Sequence, residues 1–78
     1  MLFRSNLAGA NLSGATLRRT DLWGANLTGA NLARADLTEA NLSGVAADGV
    51  DWYRTILIDA VVLGATGVPI TEATGPLV

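Results

Sequence analysis

Leucine recurs at every fifth position through the first half of the chain. The series begins at Leu7 and continues without a gap to Leu42, and a small residue, most often alanine, stands two positions before each leucine. An α-helix repeats every 3.6 residues and a strand every two, so neither element keeps a five-residue spacing on one side. The pattern therefore predicts a chain that changes direction once per repeat and stacks its leucines inside.

A short polar residue, in most units asparagine or aspartate, directly precedes each leucine of the series. Asn and Asp side chains bond to nearby backbone groups and tolerate turn conformations, so we expect them to make the corners. Where like side chains stack between neighbouring strands, they form polar ladders. We expect such ladders for Asn6 with Asn26 and for Asn11 with Asn31.

The eight units from Ser5 to Gly44 resemble the A(D/N)LXX units of the pentapeptide-repeat family, and the likeness continues more loosely to about Gly67. The resemblance implies an all-β fold, a right-handed quadrilateral parallel β-helix. In such a solenoid four pentapeptides form one coil of about twenty residues, which gives about three coils here. We expect residues 1–67 to form the β-helix and residues 68–78, which contain two prolines and lose the repeat, to form a C-terminal tail or cap.

The repeat weakens after Gly44. The inward centre positions there fall on Ala47, Trp52, Leu57 and Val62. Ala47 leaves space at its corner, and Trp52 lies on the adjacent side of the same coil. We therefore interpret Trp52 as a core residue that fills this space, rather than as a residue that stacks on a ligand.

Outward residues twenty positions apart share a side of the solenoid, which permits a map of its surface. One side carries Arg18 and Arg19, and Glu39 lies above Arg19 as a predicted cross-coil ion pair. Another side places Arg34 beneath Arg54. This like-charge pair is unfavourable unless a carboxylate lies close to it.

A further side places Trp23 and Leu63 in one column, beside the column of Gly24, Gly44 and Gly64. Two interpretations stay open: Trp23 anchors an interface whose partner approaches the glycine backbone, or it lies across the rod and covers the glycines. The candidate partner contacts from the whole map are Trp23, Leu63, Arg18, Arg19, Arg34 and Arg54.

Composition limits the chemistry that the chain can support. Its 78 residues include five arginines and seven acids, for a net charge of −2, and it has no histidine, lysine or cysteine. The usual bases and nucleophiles are therefore missing and the acids are scattered, so we expect no enzyme, no metal site, no cofactor and no small-molecule ligand. The charge does not favour direct nucleic-acid binding. No signal peptide or membrane anchor is visible, which predicts a cytoplasmic protein.

Two classes of function remain. The first is a non-enzymatic structural or protein-interaction module, a rigid rod that presents flat faces to itself or to a protein partner. Its first coil needs a cover, which Leu2 and Phe3, end-to-end stacking or a larger assembly would supply. The second comes from the resemblance: some pentapeptide-repeat proteins look like duplex DNA and modulate type II topoisomerases such as gyrase. Such mimicry needs long acidic stripes, which arginines interrupt here.

Overall fold

The computed structural model describes residues 2–69. Within that range the backbone pairing consists of isolated parallel bridges, each of which joins a residue to the one twenty positions later, from Asn6 with Asn26 to Ala46 with Thr66. One turn of the solenoid therefore takes four pentapeptides, as predicted. The described residues form neither a helix nor a strand longer than a bridge, and thus contain no helix long and apolar enough to cross a membrane.

Each pentapeptide ends in a β-turn. The N–H of the small residue donates to the carbonyl of the preceding centre residue, as in the 3.0 Å bond from Ala10 to Leu7. The third residue of the turn has a positive φ, which glycine adopts without strain, as at Gly9 with φ +71°. Residues with a side chain take this conformation at six turns, and all six are charged: Arg4, Arg19, Arg34, Glu39, Arg54 and Asp59.

The leucines stack inside the solenoid, as the sequence predicts. The side chains from Leu22 to Leu42 at the centre positions are fully buried, together with the alanines two positions before the last four of these leucines, from Ala25 to Ala40. Leu7, Leu12 and Leu17 pack against this core but are only half-buried, because their coil has a neighbour on one side only.

The Asn and Asp residues make the corners by a uniform contact. At eight positions between Asn6 and Asp51 the side-chain Oδ1 accepts the N–H of the residue two places on, at 2.9–3.2 Å. The ladder is present at Asn6, whose Oδ1 lies 3.5 Å from Nδ2 of Asn26. These residues therefore have the structural role that the sequence predicted.

Two outward positions do not face water. Ala33 and Thr38 are buried, with exposed fractions of 7% and 8%. Both are small residues of a middle coil, and the residues twenty positions later, Tyr53 and Ile58, are large. Inside the core, Thr55 is a buried polar residue whose hydroxyl donates to the carbonyl of Leu32 at 2.8 Å.

Leu2 and Phe3 lie in the first described coil, and Trp52 lies in the last. Leu2 packs against the core, and its N–H donates to the carbonyl of Asp21 at 3.0 Å. Phe3, which one of the three alternatives placed over the first coil together with Leu2, occupies an outward position instead and is 55% exposed. Trp52 packs against the core as interpreted, although it is only half-buried.

The chain leaves the five-residue repeat at Gly67. This residue occupies a centre position, where its backbone lies against the peptide between Ala47 and Asp48 so closely that an added Cβ would stand 2.5 Å from the Ala47 carbonyl carbon. The indole N–H of Trp52 donates to the Gly67 carbonyl at 3.2 Å. Of the expected tail or cap, 68–78, Val68 packs against the core, Pro69 is exposed, and the remainder lies outside the described residues.

Candidate interaction surfaces

Large apolar side chains are concentrated in one outward column. We call the stacked residues Phe3, Trp23, Ser43 and Leu63 the Trp23 column. Its three large members are exposed by 55%, 45% and 77% respectively, and Val61, on the same side of the solenoid, by 46%. Because the core is already filled by leucine and alanine, these side chains contribute nothing to the interior.

The column beside it is nearly free of side chains. A Cβ added to Gly44 would stand 3.7 Å from the Gly24 backbone, and no atom of Trp23 lies within 4 Å of that position. At Gly24 the neighbour is Arg4, whose Cγ would lie 3.4 Å from an added Cβ and whose guanidinium lies 5.8 Å from the Trp23 ring centroid. Trp23 therefore leaves the Gly44 backbone uncovered, which favours the interpretation of Trp23 as an exposed anchor.

The arginines at positions 18 and 19 are engaged in ion pairs between coils. Arg19 Nε lies 2.7 Å from Oε1 of Glu39, which confirms the predicted pair, and Arg18 Nη1 lies 3.2 Å from Oδ2 of Asp36. The Arg19 side chain is 73% exposed, so this pair is worth less than about 1 kcal/mol. Both arginines face solvent, but their charges are matched within the chain.

Asp36 accepts hydrogen bonds from two directions. The Thr38 hydroxyl donates to its Oδ1 at 2.6 Å and the Thr38 N–H at 3.0 Å, while Arg18 contacts the other oxygen. The hydroxyl bond is the largest cause that lowers the pKa of Asp36 from 3.8, followed by the amide bond; desolvation opposes them, and Arg18 lowers the pKa further. The carboxylate is thus a structural link between two coils.

Arg34 contacts an aromatic ring of the next coil. Its guanidinium lies 5.2 Å from the ring centroid of Tyr53, where the negative face of the ring attracts a cation. Its backbone N–H donates to the Tyr53 carbonyl at 2.7 Å. The same offset of nineteen residues joins Arg4 to Trp23, so a search for Arg and aromatic residues nineteen apart would have found both contacts.

Charge changes sign along the axis of the solenoid. Residues 2–21 hold three arginines and one acid, a net charge of +2; residues 22–41 hold one arginine and two acids, a net of −1; residues 42–61 hold one arginine and three acids, a net of −2. The described rod is therefore positive at its N-terminal end and negative toward its C-terminal end. No single side carries an unbroken stripe of acids.

The sequence matches the family model for pentapeptide repeats, in eight copies, over residues 5–44 and 35–66. A similar solved structure is the crystal structure of a pentapeptide repeat protein (Rfr23) from the cyanobacterium Cyanothece 51142, which is 38% identical with a TM-score of 0.76. The match covers 77% of this chain and 42% of that chain, so this chain spans less than half of its length. Among curated proteins, no relative matches.

The chain therefore belongs to the pentapeptide-repeat family. The likeness to a solved member implies that the solenoid is a right-handed β-helix. Proteins of this family are generally non-enzymatic structural modules.

Proposed function

We propose that this chain is a non-enzymatic structural and protein-interaction module, which presents the sides of a rigid rod to a protein partner or to itself. In this proposal residues 1–67 form a right-handed, four-sided rod of about three coils, and residues 68–78 form its tail or cap. The observation that carries it is the Trp23 column, because its large apolar side chains are exposed beside Gly44 and Gly64, where no side chain of another coil lies within 4 Å of an added Cβ.

The rigidity of the rod supports a presenting role. Every coil is hydrogen-bonded to the next at each of its corners, and the leucine core leaves no buried side-chain N or O atom without a partner among the described residues. A side chain fixed on such a backbone loses little conformational entropy when a partner binds, which favours affinity.

The candidate contact residues then have unequal roles. Trp23 and Leu63 supply the apolar area that anchors an interface. Arg18 and Arg19 are held by carboxylates of their own chain, so in the proposal they set orientation more than affinity. Arg34 lies on Tyr53 and, with Arg54, serves the opposite side of the rod.

The charge distribution gives little support to the alternative of a DNA-mimicking modulator of gyrase. Duplex DNA carries about one negative charge per 1.7 Å of axis, so a rod about 16 Å long would need about nine of them. The net charge of the whole chain is −2, and the N-terminal coil is positive.

Site-specific photocrosslinking in an extract of the native cells tests the proposal. A benzophenone amino acid replaces Ser43, in the Trp23 column, and in a matched control Ser13, on the opposite side. We expect irradiation to couple position 43 to one defined protein, identified by mass spectrometry, and the coupling to disappear in a Trp23→Ala background. No defined product from either position, or equal products from both, would contradict the proposal.

A further inference from the structure

The exposed apolar residues lie mainly on one side of the rod. Six large hydrophobic side chains of the described residues are exposed. Three belong to the Trp23 column. A fourth, Val61, lies between the β-turn that contains Asp59 and that column, on the same side. Tyr53 is on the opposite side. We define the Trp23 side as the surface that runs from the β-turns at Arg19, Glu39 and Asp59 to the Trp23 column.

The residues of the Trp23 side are arranged so that the surface complements a copy of itself. Trp23 lies one coil below Ser43 and Leu63 one coil above it, and each coil adds about 4.8 Å. A two-fold axis through Ser43, perpendicular to the rod, therefore places Trp23 of one copy opposite Leu63 of the other, twice. The small Ser43 side chains meet at the axis, and the glycine columns let the backbones approach.

The charges select the antiparallel arrangement. With opposed directions, the N-terminal coil with net charge +2 faces the coil with net charge −2. At the corner of the Trp23 side, Arg19 of one copy faces Asp59 of the other. Glu39 lies near the axis, but it is already paired with Arg19 of its own chain at 2.7 Å. A parallel arrangement would instead place coils of like charge side by side.

The area of the Trp23 side lies within the lower part of the range for specific dimers. The accessible surface of the chain is 4266 Å², which is shared among four sides and two ends. One side is therefore roughly 700 Å², against about 600–1000 Å² per partner in specific interfaces. We propose that the partner of the Trp23 side is a second copy of this chain, docked antiparallel about a two-fold axis at Ser43; this deepens, and rests on, the proposed role as an interaction module.

The first test is the mass of the purified chain by analytical ultracentrifugation across a range of concentrations. We expect a discrete species of twice the monomer mass of 8.0 kDa. Trp23→Ala and Leu63→Ser should each raise the dimer dissociation constant about tenfold or more. The matched control Tyr53→Ala, which removes an exposed aromatic ring from the opposite side, should leave the constant unchanged.

A single-cysteine experiment tests the geometry directly, since the chain has no cysteine of its own. Under mild oxidation Ser43→Cys should form a covalent dimer within minutes, because the two residues meet at the axis, and Ser13→Cys should not. High salt should weaken the wild-type dimer, because it screens the facing charges.

The outcomes separate this inference from the broader proposal. A chain that remains monomeric at millimolar concentration, a dimer insensitive to both Trp23→Ala and Leu63→Ser, or an open ladder of oligomers from end-to-end stacking would each overturn the second-copy partner. If the chain is monomeric while position 43 still photocrosslinks to another protein, the interaction module stands and only the identity of its partner is wrong.

Discussion

Replacing Gly67 by alanine tests how the chain leaves the repeat. The new Cβ would stand 2.5 Å from the Ala47 carbonyl carbon, 2.6 Å from its oxygen and 2.8 Å from the Asp48 nitrogen. Ordinary contacts between carbon atoms are about 3.5–4.0 Å, and all three obstacles are backbone atoms that cannot rotate away. The segment at Gly67 must therefore move off the coil.

The magnitude follows from three terms. Alanine at a positive φ destabilises the fold by about 1 kcal/mol. Because alanine also lowers the conformational entropy of the unfolded chain, it stabilises the fold by about 0.4–1 kcal/mol, and these two effects nearly cancel. The steric overlap remains, and overpacking of this kind costs about 1–3 kcal/mol. For a domain of this size a loss of about 2 kcal/mol lowers the melting temperature by roughly 10 °C.

Gly14→Ala is the matched control. Gly14 has φ +72° against +76° for Gly67, but an added Cβ meets nothing within 4 Å. Gly14→Ala therefore has the same backbone and unfolded-state effects as Gly67→Ala but no steric overlap of its Cβ. It should melt within about 3 °C of the wild type.

Thermal unfolding by circular dichroism gives the comparison, and fluorescence supplies a local readout. Trp52 donates to the Gly67 carbonyl, so in a Trp23→Phe background its emission should shift to longer wavelength in Gly67→Ala and not in Gly14→Ala. Equal melting temperatures and equal emission in the two variants would refute the described contact between Gly67 and the Ala47 backbone.

Four further predictions follow from the core, the turns, the ion pairs and the charge. Leu27→Asp places an unpaired charge at a fully buried position, which costs several kcal/mol and should abolish the folded circular dichroism spectrum. Arg54→Gly relieves a positive φ of 58° and should stabilise the fold by up to about 1 kcal/mol in thermal melts. Because the pKa of Asp36 is lowered from 3.8, its contribution to stability should be complete above that pH and be lost as the pH falls through the lower folded value in acid titrations. The purified chain should leave gyrase supercoiling unchanged at high molar excess.

Each of these has a contrary outcome. A folded Leu27→Asp variant would place that side chain on the surface. A lower melting temperature for Arg54→Gly would mean that its side chain makes contacts that outweigh the strain. Asp36→Asn should flatten the acid dependence, and an unchanged acid limb would contradict the role of that carboxylate. Inhibition of supercoiling would favour the DNA-mimicking alternative.

The five-residue spacing was sufficient to predict the interior of the fold. A leucine every fifth residue predicts a turn in each repeat with the leucines inside, and the resemblance to the pentapeptide-repeat family implies that four repeats form one coil. Asn6 and its equivalents identify the corners by their preference for turn geometry. The cross-coil pair of Arg19 and Glu39 follows from the same arithmetic, because an offset of twenty places residues on the same side.

Two contacts were not predicted from the offset of twenty residues, because they depend on the path of a side chain or of the backbone. Arg34 has a positive φ, and its side chain lies over Tyr53, the residue nineteen positions later. Gly67 was visible only as the loss of a leucine. The offset of twenty places Gly67 over Ala47, but nothing in the spacing shows how closely the two backbones approach, because that contact belongs to the place where the repeat ends.

The offset of twenty residues is the central claim, and a cysteine scan measures it most directly. Ala8→Cys is combined in turn with a cysteine at position 23, 28 or 33 and oxidised at low concentration. Stacked residues lie about 4.8 Å apart, within the range that a disulfide spans, so the account predicts rapid internal cross-linking for the pair 8 and 28 alone. Equal cross-linking of all three pairs, or a faster reaction at 23 or 33, would contradict the twenty-residue coil.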